Sequence, residues 1–329
     1  MRDISRRMGD RGPMAVTLKQ LEAFVWIVDL GSFRAAAERL NTTQPNISVR
    51  MAALEDALGV TLMDRDAGSV RLTPRGRDLL DHARRVLREA DALIEASGET
   101  QLFDGTLRLG VTEMITHTWL RSFLRAFRAR YPNISVELMV AMSANLEQEL
   151  FARSIDLALQ NGPFTRTATG VIPLGRYPLV WVASPGLGLH GRRLNAADMA
   201  VHPVLTHARG TWPHAEVADH FRDRRELSVR LVPSSNLNAG MEMAIDGMGV
   251  AAVPEAMAAS ALARGELVRL DYPWVPKAME FVARYDAQTC PGFVTTAAEI
   301  ARDTAAGYAP DVWHSDDKFS SSKEQNQII

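Results

Sequence analysis

Residues 32–48, SFRAAAERLNTTQPNIS, place two helix starts within a very short span. Ser32 is a helix N-cap residue in front of an Ala-rich run from Phe33 to Leu40, which Asn41 ends. Thr43 is a second cap, and Pro45 then falls in the first turn, where its missing N–H costs nothing. The helix opened by Thr43 is predicted to run to about Leu58, with Gly59 as its stop and Ile47, Met51, Leu54 and Leu58 as its inward stripe. Upstream, Thr17 and Gln20 form a capping-box pair in front of LKQLEAFVWIVDL, where Leu21, Phe24, Val25 and Val28 recur at helical spacing and Gly31 ends the run. A helix, a turn of about three residues and a second helix make a helix-turn-helix, in which one helix braces and the next is presented outward.

Pro45, Asn46, Ser48, Val49 and Ala52 are rotated away from the inward stripe of that presented helix, and Gln44 stands at its tip. Short and amide-bearing side chains suit a face that must approach base edges closely. A plain three-helix unit with a solvated face is the alternative. The next stretch, TLMDRDAGSVRLTPRG, has two β-like runs, Thr61 to Arg65 and Ser69 to Thr73, around Asp66-Ala67-Gly68, and is predicted to be a wing. Arg65, Arg71, Arg75 and Arg77 gather there and can reach phosphates, which fix register without reading sequence. From Gly76 to about Gly98, Leu79, Ala83, Val86, Ala90 and Leu93 alternate steps of four and three, widened by Leu80, Leu87 and Ile94. Such a heptad-like seam calls for a partner helix, and a second copy of the chain supplies one; packing against its own domain is the other option.

Beyond GETQLFDG the pattern changes to alternating strands and helices. TLRLGV, ISVELMV and IDLALQ are separated by helices from about Thr118 to Tyr131 and from about Asn145 to Arg153. After Gly162-Pro163 a second series follows: PLVWVAS, HPVLTH, LSVRLV, GVAAVP and MEFVARY, with a helix after Pro213, one around Gly240, and a last one from about Phe293 to Thr304. This order predicts parallel strands crossed by helices, in two α/β lobes. A ligand crevice in such sheets lies beyond the carboxyl ends of the strands, where helix N-termini point their N–H groups. Thr112, Glu113, Ser143, Asn145, Thr206, His207, Arg209, Asn236 and Asn238 hold those positions. The tail HSDDKFSSSKEQNQII has too little apolar content to fold.

The chain has 329 residues with 37 basic and 39 acidic side chains, a net charge of −2, so a nucleic-acid reading rests on where the arginines sit. A lone cysteine, Cys290, excludes an intramolecular disulfide and a cysteine-based metal cluster. The opening MRDISRRMGDRGPMAV lacks the apolar core of a secretory signal, and Met14 is an alternative start. No run of eighteen apolar residues occurs, so no membrane span or membrane partner is expected, and the missing secretory signal points to a cytoplasmic protein. His207, His214 and His220 are spaced by seven and six, which does not place three ligands on one helical face; no metal and no cofactor are expected. Asp156 and Asp246 read as surface charges at element ends. No nucleotide, hydrolase or metalloprotease motif is present, so catalysis is not expected. A solute-binding protein or an enzyme with an accessory DNA-binding head is the competing class.

Residues 18–80 resemble the N-terminal domain of LysR-type transcriptional regulators. The resemblance is carried by Phe24, Gly31-Ser32-Phe33, Ala36-Ala37, Leu40, Gln44-Pro45, Ser48, Leu54-Glu55, Leu58-Gly59, Leu62, Arg65 and Leu72-Thr73-Pro74 with Gly76. LRLGVT, FRARYPNISVEL, IDLAL and GMGVAAVPE fit the same family more loosely. The implied fold is an α+β multidomain protein: an extension (1–16), a winged helix-turn-helix DNA-binding domain (17–76), a linker and dimerisation helix (77–100), an effector-binding domain (104–310) and a disordered tail (311–329). The effector domain would be two-lobed and similar to periplasmic binding proteins, with lobe I at 104–164 and 268–310 and lobe II at 165–267. The resemblance also implies a homo-tetramer built from dimers that binds double-stranded promoter DNA under control of a small-molecule effector.

The expected DNA-binding residues are Ser32, Thr43, Gln44, Pro45, Asn46, Ser48, Val49, Arg50, Arg65 and Arg71, with Gln44, Asn46 and Ser48 on base edges and the arginines on the backbone. Val49 and Ala52 depart from the basic or amide residues that many members carry there. Glu113 is a second departure, since a negative side chain at a helix start opposes an anionic ligand. An organic acid or amino-acid-like effector is therefore expected to lean on the second lobe or on Arg209.

Overall fold

The computed structural model describes residues 16–64, 70–222 and 228–308. The chain divides into two compact units, one comprising residues up to 107 together with 130–135 and 286–295, the other the remainder.

In the first unit, α1 (Leu18–Leu30) opens on the Thr17/Gln20 capping box, and Gly31 closes it in the left-handed region with φ 64°. Ser32 and Thr43 cap α2 (Phe33–Arg39) and α3 (Gln44–Leu58), and Gly59 ends α3 at φ 65°. Leu21, Phe24, Val25, Ile27, Ala36, Ala37, Ile47, Met51 and Leu54 meet in one core. Each large side chain buried this way contributes about 1.5–3 kcal/mol. The predicted stripes shift slightly: Val28 is only partly buried while Ile27 is fully so, and Leu58 is 39% exposed because Gly59 turns the chain away there.

The wing is a two-stranded antiparallel ladder, β1 (Met63–Asp64) against β2 (Arg71–Leu72), with Met63 opposite Leu72. Glu55 holds it to α3 by accepting from the N–H groups of Leu62, at 2.7 Å, and Met63, at 3.2 Å. Gly76 lies so close to Leu62 that a Cβ would run into its carbonyl oxygen, which explains glycine at this position.

The linker helix α4 (Pro74–Ser97) has two kinds of neighbour. Leu80 and Ala83 close on the helix-turn-helix core, and Arg84 pairs with the buried Asp29 of α1. Farther along, Arg88 donates to the Gln288 carbonyl at 2.7 Å, Asp91 accepts from the Gly292 N–H at 2.9 Å, and Glu95 accepts from Arg130 at 2.8 Å and from the Tyr131 hydroxyl. Of the heptad-like seam, Val86 and Leu93 remain 47% and 73% exposed.

The second unit begins within β3 (Gly105–Val111) and continues through α5 (Glu113–Thr116), α6 (Leu120–Arg130), β4 (Ile134–Val140), α7 (Ser143–Phe151), β5 (Leu157–Asn161), β6 (Gly170–Tyr177) and β7 (Leu179–Ala183). Then come α8 (Ala196–Ala200), β8 (Val204–Thr206), α9 (Trp212–Arg222), β9 (Leu231–Pro233), α10 (Leu237–Ile245), β10 (Val250–Pro254), α11 (Glu255–Ala263), β11 (Val268–Arg269), β12 (Met279–Tyr285) and α12 (Gly292–Tyr308). One five-stranded sheet has the order β4-β3-β5-β12-β6 and the other β11-β7-β10-β8-β9. β3 and β5 are parallel, as are β9, β8 and β10, while β12 and β7 run antiparallel to their neighbours. The sheets are thus mixed, where the alternation of elements had predicted parallel strands throughout.

The lobe boundaries need correction. β6, inside the stretch assigned to lobe II, pairs along its length with β12 in the first sheet, and β11, assigned to lobe I, joins the second. Pro173 and two glycines conceal β6 in the sequence; the strand tolerates a proline because it lies at a sheet edge, where not every N–H needs a partner. The extension to residue 15, Arg65 and the tail from 309 lie outside the described residues.

Candidate functional site

The candidate residues fall into two sets, one in each unit. On α3, Gln44, Pro45, Asn46, Ser48 and Val49 are all exposed, Val49 to 67%, while Ile47 among them is fully buried. One turn of helix therefore presents a continuous outer face, held rigidly by the core beneath it. Thr43 accepts from the Asn46 N–H at 3.4 Å, and the Asn46 amide nitrogen donates to Thr42 at 3.2 Å. Ser32 has a structural task, accepting from the Ala35 N–H at 3.3 Å. Arg50 is half-buried near Glu22; burial raises the Glu22 carboxyl while the Arg50 charge pulls it back down. Arg71 is exposed on the wing.

In the second unit the predicted cleft residues lie at the carboxyl ends of β3 and β8 and at the starts of α5, α7 and α10. Ser143 is occupied within its own sheet, donating to the Asn161 side chain at 2.9 Å and accepting from its N–H at 3.2 Å. Asn145 is exposed on the first turn of α7, and Arg209 is exposed beyond β8. Thr206 shares a 2.8 Å hydrogen bond with His214 Nδ1. Burial pushes the His207 imidazole down to about 4, against the opposing effect of its hydrogen bond to the Ala252 carbonyl. The ring is therefore neutral. Its Nε2 has no partner among the described residues, which places the proton on Nδ1 and leaves Nε2 an acceptor. Thr112, at the N-cap position of α5, makes no cap hydrogen bond, and its Oγ1 is likewise buried without a partner among the described residues. Each such atom costs about 1–3 kcal/mol unless something meets it.

Glu113 departs most from expectation. Its carboxylate reaches the other sheet's α10, accepting from the Leu237 N–H at 2.7 Å and the Asn238 N–H at 3.1 Å. His117 Nε2 stands 3.7 Å from the same carboxylate. The sequence placed Glu113 at a helix start but not opposite a second one. Asn238 accordingly contributes its backbone N–H here.

Sequence reading missed two buried acids. Glu147 accepts from Thr165 N and Oγ1, from Arg166 N and, at 2.9 Å, from the buried Arg284, which also donates to the Arg166 carbonyl. Burial pushes Glu147 up, but these hydrogen bonds outweigh it and hold the carboxyl at about 2. Asp156, expected at the surface, is buried; burial pushes it up to about 7 despite the Arg108 N–H at 2.9 Å. His220 stacks on Trp274 with ring centroids 3.7 Å apart and shares a 2.6 Å hydrogen bond with the Tyr272 hydroxyl.

Residues 18–77 match the family of bacterial regulatory helix-turn-helix proteins of the lysR kind, and residues 100–297 match the LysR substrate binding domain. The SDS degradation transcriptional activation protein of Pseudomonas sp. is 36% identical over 207 residues, 61% of this chain and 66% of that protein, a little under two thirds of its length. A probable hydrogen peroxide-inducible genes activator of Streptomyces viridosporus is 35% identical over 241 residues, covering 72% of this chain and 77% of that one. Solved structures of a full-length OxyR variant from Pseudomonas aeruginosa and of ArgP from Mycobacterium tuberculosis each superpose with TM-score 0.55. Their identities are 23% and 24%, covering 88% of this chain and 95% and 97% of theirs, a likeness of fold. With both family domains present in order, the chain belongs to the LysR-type transcriptional regulators.

Proposed function

We propose that the protein is a sequence-specific regulator whose binding to double-stranded promoter DNA is set by a small-molecule effector held between the two sheets of its second unit. The observation that carries this is the exposed run Gln44, Pro45, Asn46, Ser48 and Val49 on a helix anchored by Ile47, Met51 and Leu54. In this reading Gln44, Asn46 and Ser48 read base edges, Val49 meets thymine methyls, and Arg50, Arg65 and Arg71 hold phosphates. Ser32 and Thr43 position the face by capping. Residues 17–76 form the DNA-binding head, 77–100 the linker and 104–310 the effector domain, with the chain crossing between sheets at β6–β7 and β11–β12.

Two copies pair through α4, whose exposed Val86 and Leu93 continue an apolar seam, and dimers pair into a tetramer. A dimer then sets two α3 helices in successive major grooves, roughly 34 Å apart. No helix of the described residues is long and apolar enough to cross a membrane, and the protein acts in the cytoplasm without catalysis. Thr112, Glu113, Ser143, Asn145, Thr206, His207, Arg209 and Asn238 face the effector. A gel shift with DNA from around the gene, repeated over a salt series, tests the reading. Affinity should fall steeply as salt rises, because phosphate neutralisation releases counterions. Binding that ignores both salt and the loss of the Gln44 side chain would refute it.

A further inference from the structure

We propose that Glu113 is a built-in ligand of the cleft, latching its two sheets together and directing its choice of effector away from carboxylates toward an uncharged or cationic molecule rich in hydrogen-bond donors. This rests on the effector-responsive reading above and names the effector class.

The start of α10 is where an acidic effector would be expected to dock, since the first turn of a helix has N–H groups without helical partners and a positive dipole end. Here the chain uses them itself. Leu237 and Asn238 donate to Glu113 at 2.7 and 3.1 Å, Ala239 donates to the Asn236 side chain at 2.6 Å, and Gly240 donates to the Asn236 carbonyl at 3.2 Å. No N–H of that turn remains for a ligand carboxylate unless Glu113 is displaced, and Glu113 comes from the opposite sheet, 124 positions upstream. Displacing it breaks the two hydrogen bonds that tie Glu113 to α10.

The polar atoms that do want a partner have a different character. Thr112 Oγ1, one residue before Glu113, and His207 Nε2, just past the end of β8, are buried without partners among the described residues. Both side chains belong to residues more than nine-tenths buried. The neutral His207 accepts, Glu113 accepts, and a threonine hydroxyl does either. Donor groups, such as those of an amine or a polyol, suit each of these atoms; a carboxylate suits neither Glu113 nor the neutral His207. His117, 3.7 Å from Glu113, flanks the latch, and Arg209 is exposed.

The test is hydrogen exchange by mass spectrometry on the full chain without DNA, following peptides that cover 235–240. Glu113→Ala should speed exchange there by at least about tenfold, Glu113→Gln by less, and acetate should restore protection in Glu113→Ala while leaving the wild type unchanged. Unaltered exchange in Glu113→Ala, or wild-type protection that responds to acetate, overturns the latch. If Glu113→Ala fails to fold, Glu113→Gln is judged by the same criterion. A thermal-shift panel of simple amines and polyols against simple carboxylates tests the effector class: stabilisation by the former alone supports it, and any other result overturns it. Because exchange is read without DNA, a chain that shows the latch but binds no promoter refutes the regulatory reading and leaves the latch standing.

Discussion

The starts of α3 and α10 solve the same problem in opposite ways. α3 is completed from within its own neighbourhood: Thr43, next to its first residue, accepts from Asn46, and Pro45 brings no N–H to satisfy. α10 has a local cap in Asn236 but also depends on Glu113 from the opposite sheet. A helix that is complete in itself can leave its outer face free and rigid, which suits a surface that must meet another molecule unchanged. A helix completed from far away makes its own first turn conditional on how two sheets are arranged. That dependence lets one contact report a change in arrangement, because a ligand shifts the arrangement only through unequal affinity for the two forms.

The sharpest contrast between local and distant contacts is expected at the buried Glu147–Arg284 pair, whose members lie 137 positions apart and are 7% and 2% exposed at their side chains. Glu147→Ala leaves an unpaired buried guanidinium and should cost roughly 3–5 kcal/mol in chemical denaturation. A loss near that of a surface pair would dissolve the contrast. The same pair predicts an acid limb. A carboxyl held at about 2 in the folded chain and at its ordinary value unfolded contributes stability that is fully present above about 4.5. That contribution is lost as pH falls from there toward 2. The gap in melting temperature between the wild type and Glu147→Gln should therefore be widest near pH 6 and should close as pH falls below 4.

Smaller effects are expected where contacts are local. Gln44→Ala should cost roughly 1–3 kcal/mol at one base position and little at the others, as read by competition gel shifts with a library of single-base variants. An even loss across all positions would reassign Gln44 to the backbone. Thr43→Ala removes only a cap and should lower stability by about 1 kcal/mol in thermal denaturation. The smallest change is expected from Thr112→Val, which exchanges an unpartnered buried hydroxyl for a methyl. Stability should stay the same or rise slightly, promoter binding should persist, and the effector response should be lost. A clear drop in stability would mean that the hydroxyl already has a partner.

Legibility differed between the two units for the same reason. In the head, Thr17 with Gln20, Ser32 and Thr43 each cap a helix within three positions, and Gly31 and Gly59 end helices by occupying the left-handed region; such signals are read directly from spacing. In the second unit most strands were visible as apolar runs, but β6 was hidden by Pro173, Gly170 and Gly175. Its place in the first sheet rests on pairing with β12, more than a hundred residues on. Asp156 looked like any acid at a strand end because nothing local marks it as buried. Thr206 and His207 are legible as residues at the end of a strand, but nothing near them in sequence marks their partners His214 and Ala252.

What the sequence determined by itself was the helix-turn-helix, its outward face, the long α4 and the alternating elements of the second unit, since caps, stops and periodicity act over a few bonds and are written where they act. Tertiary structure alone decided that Glu113 would reach α10, that Glu147 would meet Arg284, and that β6 would join the first sheet. Those contacts join residues 124, 137 and about a hundred positions apart, and separation along a chain says nothing of distance in space until the chain has folded back on itself.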